Sequence, residues 1–205
     1  MKTWICASAF ASGLLFAAAA AAQAVVGQPA PSFSAVDATA KPVSLADYKG
    51  RHVVLEWVNP GCPFVQKHYD SGNMPATQKT AVSKGMAWLA ISSTAKDSSD
   101  YKAPGELASW IRGKDGVPTA TVMDTDGKVG RAYGARVTPH MYLIDPQGKL
   151  IYAGAIDSKP TANPADIKTA TNYVSEAIGQ VAAGKPLSQS TTRAYGCSIK
   201  YSSAG

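Results

Sequence analysis

Cysteine is scarce in this chain. Three stand among 205 residues, at positions 6, 62 and 197, and none has a second thiol within a few residues. Histidine is as rare, with His52, His68 and His140 alone. Basic residues outnumber acidic ones by 20 to 14, a formal charge of +6, yet they form no run or stripe. That leaves no electrostatic footprint for nucleic acid, and Trp57, Trp88 and Trp110 show no stacking pattern and suit a core better. Asp124-Thr125-Asp126-Gly127 opens like a calcium loop, but the spaced acidic ligands and the closing glutamate do not follow, so a turn is expected. There is no internal repeat and no second domain. What remains is one mildly basic domain, long enough to bury a substantial core.

The first residues read as targeting rather than fold. Lys2 supplies a positive charge, Phe10 to Ala22 is apolar and alanine-rich, and Ala22-Gln23-Ala24 offers a small-x-small cleavage site. Residues 1–24 are therefore expected to be a signal peptide, which makes the protein exported, either periplasmic or secreted. The apolar core is short for a membrane span, so stable membrane insertion is not expected once the leader is cut; its retention as an anchor stays open. Cys6 leaves with the leader. Cys62 and Cys197 then remain, in an oxidising compartment where they can pair. A disulfide closing so long a loop would add up to about 5 kcal/mol in the loop-entropy model. Counting does not separate a structural staple from a redox pair.

Chemistry concentrates in Asn59-Pro60-Gly61-Cys62-Pro63-Phe64-Val65. It follows the apolar run His52–Val58, which reads as a buried strand, and precedes Gln66-Lys67-His68-Tyr69, which reads as the start of a helix. Pro63 suits the first helical position, where its missing N–H would be unpaired in any case. Cys62 would then face the free N–H groups and the positive end of the helix dipole, which favours the reactive thiolate. The alternative is a small buried residue filling a turn. His68 is expected on the helix surface and His52 at the strand's entry.

The remaining pattern is an alternation. Phe33–Asp37 and Pro42–Leu45 are expected as short edge strands, with one helical turn over Leu45–Gly50. The helix after Cys62 should break near Ser71-Gly72-Asn73 and resume from Pro75 to about Lys84. Met86–Ser92 and Thr119–Asp124 read as buried parallel strands, with a helix around Gly105–Lys114 between them and a short one over Val129–Tyr133. His140–Asp145 and Leu150–Gly154 flank Pro146-Gln147-Gly148-Lys149 as a hairpin. Asn163-Pro164 should start the clearest helix, with Ile167, Val174, Ile178 and Val181 on one face and Gly184 ending it. This order predicts an α/β domain over 25–184 whose mixed sheet carries helices on both faces. A polar tail, 185–205, carries Tyr195-Gly196-Cys197-Ser198-Ile199-Lys200-Tyr201, a segment expected to dock. At the reach of an extended chain, it can span up to about 45 Å from Gly184 to Cys197, enough to meet the Cys62 helix.

The cysteine after the first core strand, together with Val137-Thr138-Pro139 before the hairpin, resembles the thioredoxin fold. The opening Pro29-Ala30-Pro31-Ser32-Phe33 and Leu45-Ala46-Asp47-Tyr48-Lys49-Gly50 resemble its redoxin branch, which includes peroxiredoxins and exported thiol–disulfide reductases. Asn59-x-x-Cys62-Pro63-Phe64-Val65, Arg131-Ala132-Tyr133-Gly134-Ala135 and Gly196-Cys197-Ser198-Ile199-Lys200 look like a peroxiredoxin-like, AhpC/TSA-related family. The resemblance runs from about Gln28 to Tyr201. It implies a central mixed β-sheet flanked by helices, with an N-terminal β extension and a cis-Pro139 beside Cys62.

The resemblance also implies function. Cys62 would attack a disulfide or a hydroperoxide, and Cys197 or an external thiol would resolve the product. The Thr138 backbone would pair with an extended thiol substrate. An external reductant is required, whereas no metal, haem or nicotinamide is. Departures from the family pattern bear on the choice of substrate. Val65 stands where thioredoxins carry a second cysteine, so any internal partner must be Cys197. Asn59 replaces the hydroxyl residue that peroxiredoxins place three positions before their cysteine, and its amide could donate one hydrogen bond. Arg136 could supply the positive charge, or stand as an exposed loop residue. Copper-delivery relatives need a second cysteine where Gln66 stands, so a thiolate copper site would lack a ligand. The competing class is a binding or structural protein with a permanent Cys62–Cys197 bridge.

Overall fold

The computed structural model describes residues 23–203; most of the expected signal peptide, and Cys6 with it, lies outside them. The chain opens with a hairpin of β1 (Ser34–Asp37) and β2 (Pro42–Ser44), followed by a 3-10 turn over Leu45–Tyr48. Next come β3 (Val53–Trp57), α1 (Pro63–Asp70), α2 (Asn73–Ser83), β4 (Ala87–Ser92) and α3 (Pro104–Gly113). Then β5 (Ala120–Met123), α4 (Lys128–Tyr133), the short β6 (Val137–Thr138), β7 (His140–Ile144) and β8 (Leu150–Gly154) follow. Finally α5 (Tyr173–Ala182) leads to a tail carrying β9 (Cys197–Ser198). Among the described residues, no helix is long and apolar enough to cross a membrane.

Seven strands form one mixed sheet in the order β2-β1-β5-β4-β3-β7-β8. β3 runs parallel to β4, which runs parallel to β5, while β7 and β8 are antiparallel additions on the other side. This is the architecture that the alternation predicted. All five residues of β3 are buried, as expected of a strand with helices over both faces. Its period of two sorts them. Val54 packs with Tyr69, Met74, Leu107 and Ile178 from α1, α2, α3 and α5. Leu55 and Trp57 pack on the opposite face with Val129 and Tyr133 of α4 and with the N-terminal segment. Each such large side chain contributes about 1.5–3 kcal/mol on burial.

One expected helix is divided. Pro164–Thr169 forms a separate 3-10 turn, and α5 starts only at Tyr173. The cause is Asn172, whose Oδ1 caps α5 by accepting the Ser175 N–H at 2.9 Å. Its Nδ2 donates to Asn73 Oδ1 and Thr77 Oγ1 on α2, both at 3.1 Å. A capping position has extended dihedrals, so the helix begins there. Val174 and Ile178 are buried as the periodicity predicts, whereas Ile167 sits in the detached turn.

Glu56 interrupts the apolar run of β3 and is fully buried. It accepts hydrogen bonds from Tyr69 Oη at 2.9 Å, Gln78 Nε2 at 3.0 Å and Trp88 Nε1 at 2.7 Å. Loss of water dominates over these donors and raises its pKa from 4.5 to about 7. Between those two values the folded chain holds the proton that the unfolded chain has released, so stability falls as pH rises through that window. The shift is equivalent to about 3 kcal/mol. Glu56→Gln should abolish this component. Urea unfolding of variant and wild type at about pH 4.5 and about pH 8 should show the variant gaining by that amount at the higher pH. Parallel slopes in the two proteins would show that Glu56 stays ionised in the fold.

Candidate active site

α1 begins directly after the turn at the end of β3. Asn59 makes this turn: its Oδ1 accepts the Gly61 N–H at 2.8 Å, and its backbone carbonyl accepts the Cys62 N–H at 3.0 Å. Cys62 is the N-cap residue and Pro63 the first residue of α1, as the sequence predicts. The thiol, however, does not cap the helix. It is turned across the molecule and donates to the Thr138 carbonyl at 3.0 Å. With 1% of its surface exposed, Cys62 is closed off from solvent.

Thr138 is the last residue of β6 and precedes a cis peptide bond to Pro139. Its partner across the two-stranded ladder is Cys197, with Val137 opposite Ser198. The backbone position that a substrate strand was expected to take is therefore filled by the chain's own tail. One residue, Thr138, thus meets both cysteines, which are held as two thiols. Burial and then the neighbouring Cys62 side chain push the Cys197 thiol up to about 12, while the Phe64 backbone N–H acts in the opposite direction.

The tail is fixed on both sides of this cysteine. Downstream, Ile199 donates its N–H to the Arg136 carbonyl at 3.0 Å, and Tyr201 Oη donates to the Ala135 carbonyl at 2.7 Å. The Arg131 guanidinium stacks over the Tyr201 ring and reaches the Ser202 carbonyl at 2.6 Å. Arg136 meets the tail through its backbone. Its charge acts instead on His140 and Tyr142, opposing protonation of the imidazole, which burial already holds down at about 4.

Upstream, Tyr195 enters a buried polar cluster that the sequence did not disclose. Its ring packs edge-on against Phe64, and its hydroxyl donates to Asp157 Oδ1. Asp157 Oδ2 pairs with Lys67 Nζ at 3.2 Å, with both side chains essentially inaccessible; Lys67 also donates to the Lys159 carbonyl at 2.8 Å. His68, expected on the helix surface, is instead fully buried, because the tail folds over α1. Its tautomer follows from the backbone. The Ser175 N–H orients Asn172, Asn172 orients Asn73, and Asn73 Nδ2 donates to His68 Nδ1 at 2.8 Å. The proton is left on Nε2, which faces Tyr195 Oη at 3.1 Å. Burial lowers the His68 pKa to about 4, with Asp157 opposing the shift, so this imidazole is neutral at physiological pH.

The spacing Tyr195-Gly196-Cys197 was the one available signal for this cluster; Lys67 and Asp157 carried none. Tyr195→Phe keeps the ring contact but removes the hydroxyl from a buried network. It should destabilise the protein by about 1–3 kcal/mol, and alkylation of Cys197 in the folded reduced protein should accelerate. An unchanged alkylation rate would show that the downstream contacts alone fix the tail.

Among the described residues, no group of three or more His, Cys, Asp or Glu side chains could hold a metal ion. Comparison with known proteins bears on the family and the fold. Thiol-disulfide oxidoreductase ResA of Bacillus subtilis (strain 168) is 27% identical over 132 residues, covering 61% of this chain and 64% of that protein. The chain thus matches just under two thirds of that relative's length. A crystal structure of an uncharacterized conserved protein from Geobacillus kaustophilus superposes with a TM-score of 0.74, covering 88% of this chain and 94% of that one at 23% identity. The thioredoxin domain of a thiol-disulfide oxidoreductase from Bacteroides vulgatus superposes with a TM-score of 0.50 at 25% identity, covering 63% of this chain and 87% of that one. These neighbours share the thioredoxin-like arrangement of a central mixed sheet flanked by helices. The AhpC/TSA family profile matches residues 26–153, more than half of the sequence, and the chain belongs to the AhpC/TSA family.

Proposed function

We propose that this protein is a thiol–disulfide oxidoreductase in which Cys62 is the nucleophile and Cys197 its resolving partner. The observation that carries this is the convergence of both cysteines on Thr138, Cys62 through its thiol and Cys197 through strand pairing, from remote parts of the chain. A Cys-x-x-Cys enzyme places its second thiol one helical turn away; here the tail supplies it.

The local electrostatics order the two steps. While Cys62 is a free thiol, it helps hold Cys197 protonated, so Cys197 does not lead. Cys62, as thiolate, attacks one sulfur of a substrate disulfide. The S–S bond breaks, the other sulfur leaves with the electron pair and takes up a proton, and a Cys62 mixed disulfide forms. That product carries neither a thiol proton nor a charge, so its influence on Cys197 lapses, while the Phe64 N–H still favours the Cys197 thiolate. Cys197 then attacks the Cys62 sulfur, forms the internal disulfide and expels the remaining substrate thiolate. An external thiol reductant must restore the pair. Protein or small-molecule thiols and disulfides are the partner class.

A hydroperoxide substrate has narrower support. Thr138 Oγ1 is buried without a hydrogen-bond partner among the described residues, and a buried hydroxyl left unpaired costs about 1–3 kcal/mol. A peroxide oxygen delivered to Cys62 would offer it an acceptor. Asn59, by contrast, has its side-chain carbonyl committed to Gly61. Export forms part of the same proposal and rests on the alanine-rich leader and its small-residue cleavage site.

The decisive experiment follows both sulfurs by mass after adding a small disulfide to the reduced protein. Wild type should end as the Cys62–Cys197 disulfide. Cys197→Ser should stop at a Cys62 mixed disulfide, and Cys62→Ser should lose turnover. The internal disulfide should equilibrate with thiols at a potential well above the roughly −300 mV floor of inert structural bridges. A bridge resisting reduction below that floor would establish a structural staple instead.

A further inference from the structure

We propose that Arg136, Arg193 and His140 form a binding site for a small hydroxydicarboxylate, and that this anion clasps the loop carrying Cys197. The site stands apart from the redox chemistry, and Cys197 enters only as the residue whose exposure it governs.

The three side chains line one cavity of about 460 Å³, bordered by the tail at Thr191–Ala194 and by His140 and Tyr142 of β7. That size is typical of small-molecule sites. No Asp or Glu is among its described lining residues, and among the described residues neither guanidinium pairs with a carboxylate. Arg193 also borders a neighbouring cavity, but the carboxylate there, Asp157, is taken by Lys67 and Tyr195. Two positive charges thus share a space that supplies no counter-charge, and an anion relieves their repulsion. A guanidinium matches a carboxylate through two parallel hydrogen bonds, so a pair of them selects a dicarboxylate.

His140 adds the requirement for a hydroxyl. Tyr142 Oη gives its single proton to the Tyr133 carbonyl at 3.0 Å. At the 3.3 Å contact between Tyr142 Oη and His140 Nδ1, the imidazole is therefore the donor. That leaves Nε2 without a proton, and it has no hydrogen-bond partner among the described residues. Burial and then the Arg136 charge keep the ring neutral, so Nε2 accepts and does not donate. A ligand hydroxyl completes it, whereas a plain dicarboxylate leaves it unmet.

The two arginines also stand on either side of Cys197 along the tail's path. Arg193 follows Thr192, whose N–H donates to the Ala153 carbonyl at 3.2 Å and whose Oγ1 accepts the Ala155 N–H at 2.8 Å. Arg136 accepts the Ile199 N–H through its own carbonyl at 3.0 Å. The segment from Arg193 to Ile199 is thus a loop with its ends fixed beside the two guanidiniums, and an anion held by both closes it. An anion that binds the seated tail and not the lifted one makes lifting rarer by mass action.

The test titrates the reduced protein calorimetrically, at constant ionic strength, with (S)-malate and with succinate, which differ by one hydroxyl. Malate should bind once per chain, and succinate about two- to tenfold more weakly, the net worth of one hydrogen bond. Arg136→Gln and Arg193→Gln should each weaken malate at least about tenfold; both side chains are exposed, so the variants keep the fold. Arg112→Gln, at an exposed position of α3 outside the cavity, should leave malate binding unchanged. Alkylation of Cys197 by neutral iodoacetamide, located by peptide mass, should slow about tenfold with malate at ten times its dissociation constant. Arg193→Gln should remove most of that slowing at the same malate concentration. Absence of binding, or equal losses in all three variants, would overturn the site. Equal affinities for malate and succinate would overturn the part given to His140, and malate binding that leaves the alkylation rate unchanged would overturn the clasp.

Discussion

The site depends on the backbone of Thr138. Its carbonyl accepts the Cys62 thiol, and its strand pairs with Cys197. Two backbone faces of one residue thus bring together sulfurs from the start of α1 and from the C-terminal tail. A main-chain hydrogen bond to a sulfhydryl is weak by itself, but it operates where water is excluded, and there an unmade bond is costly. The ladder to β9 adds direction, because a strand register fixes which residue faces which. Neither cysteine would find the other without that register.

The rest of the tail's contacts make this register persist. Two residues of strand pairing could not hold a segment against the entropy of ordering it. Tyr195 and Tyr201 supply anchors of different character. Tyr195 engages Asp157, Lys67 and neutral His68 in a buried network, whereas Tyr201 packs close to Gly127 and Gly130 at the start of α4 and bonds to Ala135. Buried ion pairs add little net stability because desolvation offsets most of their attraction. They do penalise arrangements that leave one partner alone. The Lys67–Asp157 pair therefore favours one seat for the tail over many nearby ones, and the seat it favours places Cys197 beside Cys62.

The order of events at sulfur follows from this arrangement. Cys197 is held protonated by burial and by the neighbouring Cys62 side chain, with the Phe64 backbone N–H acting in the opposite direction. Reaction at Cys62 removes the neighbour's part of this shift and leaves burial and the Phe64 N–H in place. The device differs from a Cys-x-x-Cys motif, in which one helix turn carries both sulfurs. Here the second thiol comes from another segment, so its approach to the first can be changed without altering α1.

The fold was legible because its signals are local. The apolar run of β3, the strands β4 and β5, the Pro-Gln-Gly-Lys turn between β7 and β8, and the glycine break between α1 and α2 each express a preference of neighbouring residues. The placement of Cys62 ahead of Pro63, Thr138 ahead of Pro139, and a docking segment around Cys197 could be read in the same way. Other features depended on contacts between distant residues. Asn172 ended one apparent helix because α2 offered it partners; His68 was buried by a tail more than a hundred positions away. Lys67, Asp157 and Tyr195 carry no common pattern along the chain. The sequence by itself determined the sheet, its helices and which sulfurs exist to react. Only the tertiary structure decided that the tail lies as a strand on Thr138, since pairing between remote segments is specified by register and burial rather than by any residue's own propensity.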